Sequence, residues 1–153
     1  ETGGIIGNGD ITMDWIVQVL KRTVDTQYRT KADRRHTFLA GSSMGGLMTL
    51  YGLLAYPEVF SRGAALSPSL WIDAEKVKAM IRHARVKRNT VLYMDYGALE
   101  FADHPHSRSL FAEVSALLIE KRVLLNSRIV PRGTHCEASW EKQIPFFMKT
   151  LFE

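Results

Sequence analysis

Ser43 stands at the centre of Gly41-Ser42-Ser43-Met44-Gly45, a G-x-S-x-G spacing with a specific mechanical use. A nucleophilic serine has to sit on a sharp strand-to-helix turn, its hydroxyl exposed and its backbone strained. Small residues two before and two after it let strand and helix close around that turn. The N–H of Met44 then heads the following helix and can meet an oxyanion, helped by the helix dipole. Glycines and serines also fill ordinary turns, so the flanks matter. Here an apolar strand precedes the motif and an apolar helix follows it, which is the context the chemistry requires.

A serine needs a base at neutral pH, and histidine is the usual one. Of five histidines, His135 directly follows the last strand-like segment, in Arg132-Gly133-Thr134-His135. It therefore falls at the carboxyl end of the strands, where parallel sheets bind ligands. His36 precedes a strand and lies at the opposite edge, His83 ends a basic helix, and His104 and His106 share a loop. The third member, a carboxylate that holds the imidazole tautomer, belongs between Ser43 and His135 in chain order. Asp95, Glu100 and Asp103 all qualify. Glu100, on the loop beyond Gly97, has the best reach; Asp95 falls at a strand end.

Other chemistry is weaker. Cys136 beside His135 could be offered as a nucleophile, but adjacent side chains on an extended loop diverge. Glu100, Asp103, His104 and His106 have zinc-compatible donors, yet Pro105 and the loop spacing argue against a metal site. No metal and no cofactor is expected. Ser42, next to the nucleophile, and Trp71, after Ser67-Pro68, are the candidate substrate-pocket residues; Trp71 reads equally well as a packed core side chain.

The elements that must position these groups alternate in type. Apolar periodicity predicts helices over 13–28 with Thr12 as N-cap, 47–55, 74–84, 107–121 and 138–151. Pro145 inside the last should kink it or delay its start. Strands are expected over 36–40, 63–66, 90–94 and 124–130. Such alternation implies an α/β fold, a mostly parallel sheet with helices on both faces, and with no visible linker a single domain over 1–153.

Composition supports a soluble globular chain. The 153 residues carry 20 Lys and Arg against 16 Asp and Glu, a formal charge of +4. The basic runs 31–35 and 82–88 lack interleaved aromatics, so no nucleic-acid partner is expected. No apolar run spans a bilayer and no signal peptide opens the chain, so no membrane partner is expected either. One cysteine rules out an internal disulfide and fits either side of a membrane, with the cytoplasm slightly favoured.

Taken together these segments resemble the esterase family of α/β-hydrolases that includes enterochelin esterases, feruloyl esterases and S-formylglutathione hydrolase. The likeness runs through Asp14-Trp15-Ile16-Val17, the elbow Ala40 to Leu47, Tyr56-Pro57-Glu58-Val59-Phe60 and Leu66-Ser67-Pro68-Ser69-Leu70-Trp71. It continues through Tyr96-Gly97-Ala98-Leu99-Glu100 and Gly133-Thr134-His135-Cys136-Glu137-Ala138-Ser139-Trp140. The resemblance implies Ser43 as nucleophile, Glu100 as acid and His135 as base, acting on a small-molecule carboxylic ester through an acyl-enzyme. It also implies earlier strands, and a loop donating a second oxyanion N–H, that this sequence lacks. Losing one such donor typically costs about 10²–10³ in rate, ~3–4 kcal/mol. The expectation is the C-terminal portion of an α/β-hydrolase domain, its open sheet edge covered by a missing N-terminal segment or a second copy. The alternative is a truncated, non-catalytic binding or subunit module.

Overall fold

The computed structural model describes residues 7–102 and 106–153. Four parallel strands run in the order β1 (Phe38–Ser42), β2 (Arg62–Leu66), β3 (Val91–Gly97) and β4 (Leu124–Val130). Each connection carries a helix: α3 (Met44–Ala55), α4 (Ala74–His83) and α5 (Ser107–Glu120). Ahead of β1, α1 (Gly9–Trp15) passes through a π-helical stretch, Ile16–Leu20, into α2 (Lys21–Gln27). After β4 come a short α6 (Glu137–Trp140), a 3-10 turn and α7 (Ile144–Phe152). No helix among the described residues is long and apolar enough to cross a membrane.

The pleat sorts the strand residues between two cores. Leu92, Met94 and Tyr96 of β3 join Met13, Leu50, Leu53, Val77, Ile81, Val114 and Leu118, which places α1, α3, α4 and α5 on one face. Ala64, Leu66 and Tyr93 pack instead with Leu151 of α7 on the other. Helices therefore lie on both faces, and Trp140 of α6 joins α7 on the second. Each fully buried leucine, such as Leu50 or Leu118, contributes about 1.5–3 kcal/mol relative to exposure.

Element types match the periodicity, and the differences have local causes. β1 starts at Phe38 rather than residue 36 because Asp33 caps a 3-10 turn over Arg34–His36, accepting from Arg35 N–H at 2.9 Å. β3 runs on to Gly97, so Asp95 lies within the strand. The first helix begins at Gly9 with Asn8 as N-cap; Thr12 is inside it, its hydroxyl donating back to the Asn8 carbonyl. Pro145 sits in the first turn of α7, where its missing N–H is no loss, and a 3-10 turn separates that helix from α6.

Close backbone contact makes the elbow possible. A Cβ on Gly41 would meet the carbonyl carbon and oxygen of Gly45 at 2.5 Å. The obstacle is backbone, so no side chain can swing aside. Gly41→Ala is expected to lower stability by about 1–3 kcal/mol or more. Urea unfolding should show a lower midpoint with an unchanged slope.

Candidate active site

At the end of β1 the chain turns through Ser43, whose φ of 54° and ψ of −119° are strained for a residue with a side chain. Tight contacts hold it there. Its N–H donates to the Leu66 carbonyl at 2.9 Å, and its carbonyl accepts from the N–H groups of Leu47 and Ser69, both at 3.1 Å. α3 starts at Met44, so the Met44 N–H belongs to the first turn, where helix donors lack intrahelical partners. Ser42, half-buried, ends β1 opposite Leu66.

His135 reaches this serine from the loop after β4. Its Nε2 lies 2.8 Å from Ser43 Oγ, and its Nδ1 lies 2.6 Å from Glu100 Oε2. Glu100 is 4% exposed and sits in a 3-10 turn, Ala98–Ala102, immediately after β3. Its other oxygen accepts from the Gly97 N–H at 2.8 Å and the Ser67 hydroxyl at 2.7 Å. The acid and histidine loops also touch through their backbones: Leu99 N–H donates to the Gly133 carbonyl at 3.0 Å. A Cβ on Gly97 would fall 2.4 Å from that same oxygen.

Of the two candidate carboxylates among the described residues, Asp95 and Glu100, it is Glu100 that touches the imidazole. Asp95 is turned inward, 1% exposed, where it accepts from Tyr93 OH at 2.7 Å and Ser67 N–H at 3.2 Å. Burial pushes its carboxyl up from the ordinary aspartate value, against the lowering pull of those two donors and Arg128. The same burial, with Asp95 next to it, pushes the Tyr93 phenol up. Asp103 and His104 lie outside the described residues. His106 is exposed ahead of α5, and no group of three or more metal-ligating side chains exists among the described residues.

Cys136 diverges from its neighbour as an extended loop requires. While His135 points to Ser43, the Cys136 sulfur meets Thr134 Oγ1 at 3.2 Å, and that hydroxyl, then the Ser139 N–H, holds the thiol below its ordinary value. Trp71 lies in a 3-10 turn, Leu70–Ile72, and is 50% exposed, so it is not a packed core residue.

Three residues at the site escaped the sequence reading. Ser69 is buried with its hydroxyl 3.3 Å from Ser43 Oγ. Ser67 bonds Glu100, and Trp140 donates through its indole N–H to Ser67 Oγ at 3.0 Å. Their types gave little signal, because Ser-Pro-Ser reads as a turn and a helical tryptophan reads as core.

A hydroxyl, an imidazole and a buried carboxylate in hydrogen-bonded line can move a proton off the hydroxyl and stabilise the charge that results. Known proteins share the frame that assembles them. The family model described as "Putative esterase" matches residues 10–148. The chain belongs to that family. It is 44% identical over 48 residues to the iron(III) salmochelin esterase of Escherichia coli O6:H1, which is 31% of this chain and 12% of that one. An IroE-like serine hydrolase from Shewanella oneidensis superposes with a TM-score of 0.75 at 20% identity, over 95% of this chain and 47% of the other. An enterobactin esterase from Shigella flexneri gives 0.66 at 25%, over 89% and 36%. The siderophore hydrolase EstA from Aspergillus nidulans gives 0.69 at 19%, over 95% and 59%. The fold is that of the α/β-hydrolases, and the family chain described here spans roughly a third to three-fifths of those solved structures.

The buried Asp95 makes a distinct pH prediction. Its folded state holds a proton to higher pH than the unfolded chain does, so this carboxyl withdraws stability as pH rises from the unfolded value through the folded one. Wild type should therefore lose ground to Asp95→Asn across that interval and run parallel to it on either side. Urea midpoints of both proteins from acid to neutral pH give the comparison.

Proposed function

We propose that this chain carries the nucleophile, base and acid of a serine esterase. Ser43 Oγ attacks an ester carbonyl while His135 Nε2 takes its proton, and the Met44 N–H faces the developing oxyanion. The protonated imidazole then delivers that proton to the leaving alcohol. Water, deprotonated by His135, releases the acid from the acyl-enzyme, and Glu100 holds the ring throughout. The observation that carries this reading is the continuous line Ser43–His135–Glu100, at 2.8 and 2.6 Å.

The substrate class follows less directly. Exposed Met44, Trp71 and Leu99 border the loops that hold Ser43, Ser69 and Glu100, which favours an ester with an apolar or aromatic part. The salmochelin and enterobactin esterases among the relatives support a siderophore-type ester.

A second reading, a non-catalytic binding or subunit module, draws on the open side of the sheet. β1 has no neighbour beyond it among the described residues. Beside it runs a groove of about 320 Å³ lined by Leu20, Val24, Phe38, Leu39 and Phe60. An unpaired strand and an apolar groove together invite cover, and we propose a preceding segment or a second copy as that cover.

A fluorophosphonate probe separates the readings. The expected result is a single mass shift at Ser43, absent in Ser43→Ala and in His135→Ala. Glu100→Gln should slow labelling by about 10³–10⁴, the scale expected when a triad loses its tautomer-fixing anion. A folded wild-type chain that stays unlabelled would favour the module reading.

A further inference from the structure

Ser67 occupies a conformation that its residue type does not favour. Its φ is 42°, in the left-handed region where glycine fits freely and a Cβ is crowded. The residue is also 1% exposed. The hydroxyl of this buried serine is fully used. It donates to Glu100 Oε1 at 2.7 Å and accepts from Trp140 Nε1 at 3.0 Å. The direction is fixed, because an indole N–H only donates and an ionised carboxylate only accepts. Asp95 locks the backbone of the same residue: Ser67 N–H donates to its side chain at 3.2 Å and to its carbonyl at 3.1 Å.

Trp140 closes the figure. Its ring stands edge-to-face against His135, centroids 5.0 Å apart and planes at 84°. One indole thus meets the imidazole through its ring and, through its N–H, the serine hydroxyl that donates to the carboxylate. The terminal torsion of a glutamate is broad and has no sharp preferred setting, so hydrogen bonds decide the plane of the carboxylate. Gly97 N–H and Ser67 O–H share Oε1, which leaves Oε2 aimed at His135 Nδ1.

We propose that Ser67 and Trp140 are paired positioning residues: the chain Trp140 N–H to Ser67 O–H to Glu100 sets the carboxylate, while the Trp140 ring sets the imidazole it serves. The proposal rests on the reading of His135 and Glu100 as base and acid. Because each link polarises the next, the two residues act as one unit.

The test uses Ser67→Ala, Ser67→Gly, Trp140→Phe and the Ser67→Ala/Trp140→Phe double variant, each checked for folding by its urea midpoint. Turnover of p-nitrophenyl acetate gives kcat and KM. The His135 Nδ1 proton, observed by NMR in protein labelled with ¹⁵N-histidine, reports the imidazole–carboxylate bond without turnover. Each single change is expected to lower kcat by roughly 10-fold with KM unmoved, since a misplacement of about 1 Å can cost ~10²-fold. The double variant should be no slower than the slower single one, the mark of coupled residues. Ser67→Gly, which relieves the backbone and removes the hydroxyl, should be as slow as Ser67→Ala. In all of them the Nδ1 proton should move upfield or broaden.

Wild-type kcat in the single variants, multiplying losses in the double variant, or recovery in Ser67→Gly would each overturn the proposal. An Nδ1 proton unchanged in Ser67→Ala and Trp140→Phe would overturn it even in a chain that turns over nothing. Failure of the underlying reading looks different: the Nδ1 signal would then be unmoved by Glu100→Gln.

Discussion

Everything at this site depends on one backbone contact, the approach of Gly41 to Gly45 across the turn at Ser43. With no Cβ at Gly41, β1 and α3 close to the point where Ser43 must take a positive φ. That angle fixes the hydroxyl at the carboxyl end of the sheet and leaves the Met44 N–H at the head of a helix. The strain is held by three hydrogen bonds, to Leu66, Leu47 and Ser69. Two of those partners come from the β2 end, so the neighbouring strand and its turn clamp Ser43. A parallel register brings each later loop to the same end. Glu100 after β3 and His135 after β4 are then neighbours of Ser43 despite lying 57 and 92 residues away in sequence.

How much of this could be read from the residues follows from the range of each signal. Local patterns spoke clearly. The elbow, the alternation of elements and the histidine after the last strand are short-range features tied to one segment each. Boundaries were less legible: the Asp33 side chain caps a 3-10 turn at the expected start of β1, and the first helix begins earlier than expected, with Asn8 rather than Thr12 at its N-cap. Least legible were the hydrogen-bond partners of Glu100. Ser67 lies 33 residues from Glu100 and 73 from Trp140, and nothing local marks a serine as the link between a carboxylate and an indole. The choice between Asp95 and Glu100 was open for a related reason. Asp95 falls on the loop if the strand stops at Met94 and inside the sheet if it runs to Gly97, as it does.

The uneven covering of the sheet has its own logic. Crossovers that step in one direction across a parallel sheet with a single hand place α3, α4 and α5 on one face. α7 packs on the other, against Ala64, Leu66 and Tyr93. Parallel strands are stable when both faces and both edges are shielded. β1 keeps an unpaired side here, beside the apolar groove that includes Phe38 and Leu39. Among the described residues β1 and β4 are the two edge strands, and the turn at Ser43 follows directly on one of them.

Asp95 and Glu100 show how five residues can separate two carboxylates physically. Both are buried, at 1% and 4% exposure, and the nearby Glu100 helps push the Asp95 carboxyl up. Asp95 meets a phenol and a single N–H inside the sheet, where desolvation dominates and penalises its ionised form. Glu100 meets an N–H, a hydroxyl and an imidazole at the sheet's rim. Ser67 stands between them, its N–H on one carboxyl and its O–H on the other. It spends its backbone donor on the structural carboxyl and its hydroxyl on the one that faces His135. A residue in that position ties the packing of β3 to the orientation of the imidazole, so a change in either is felt by the other.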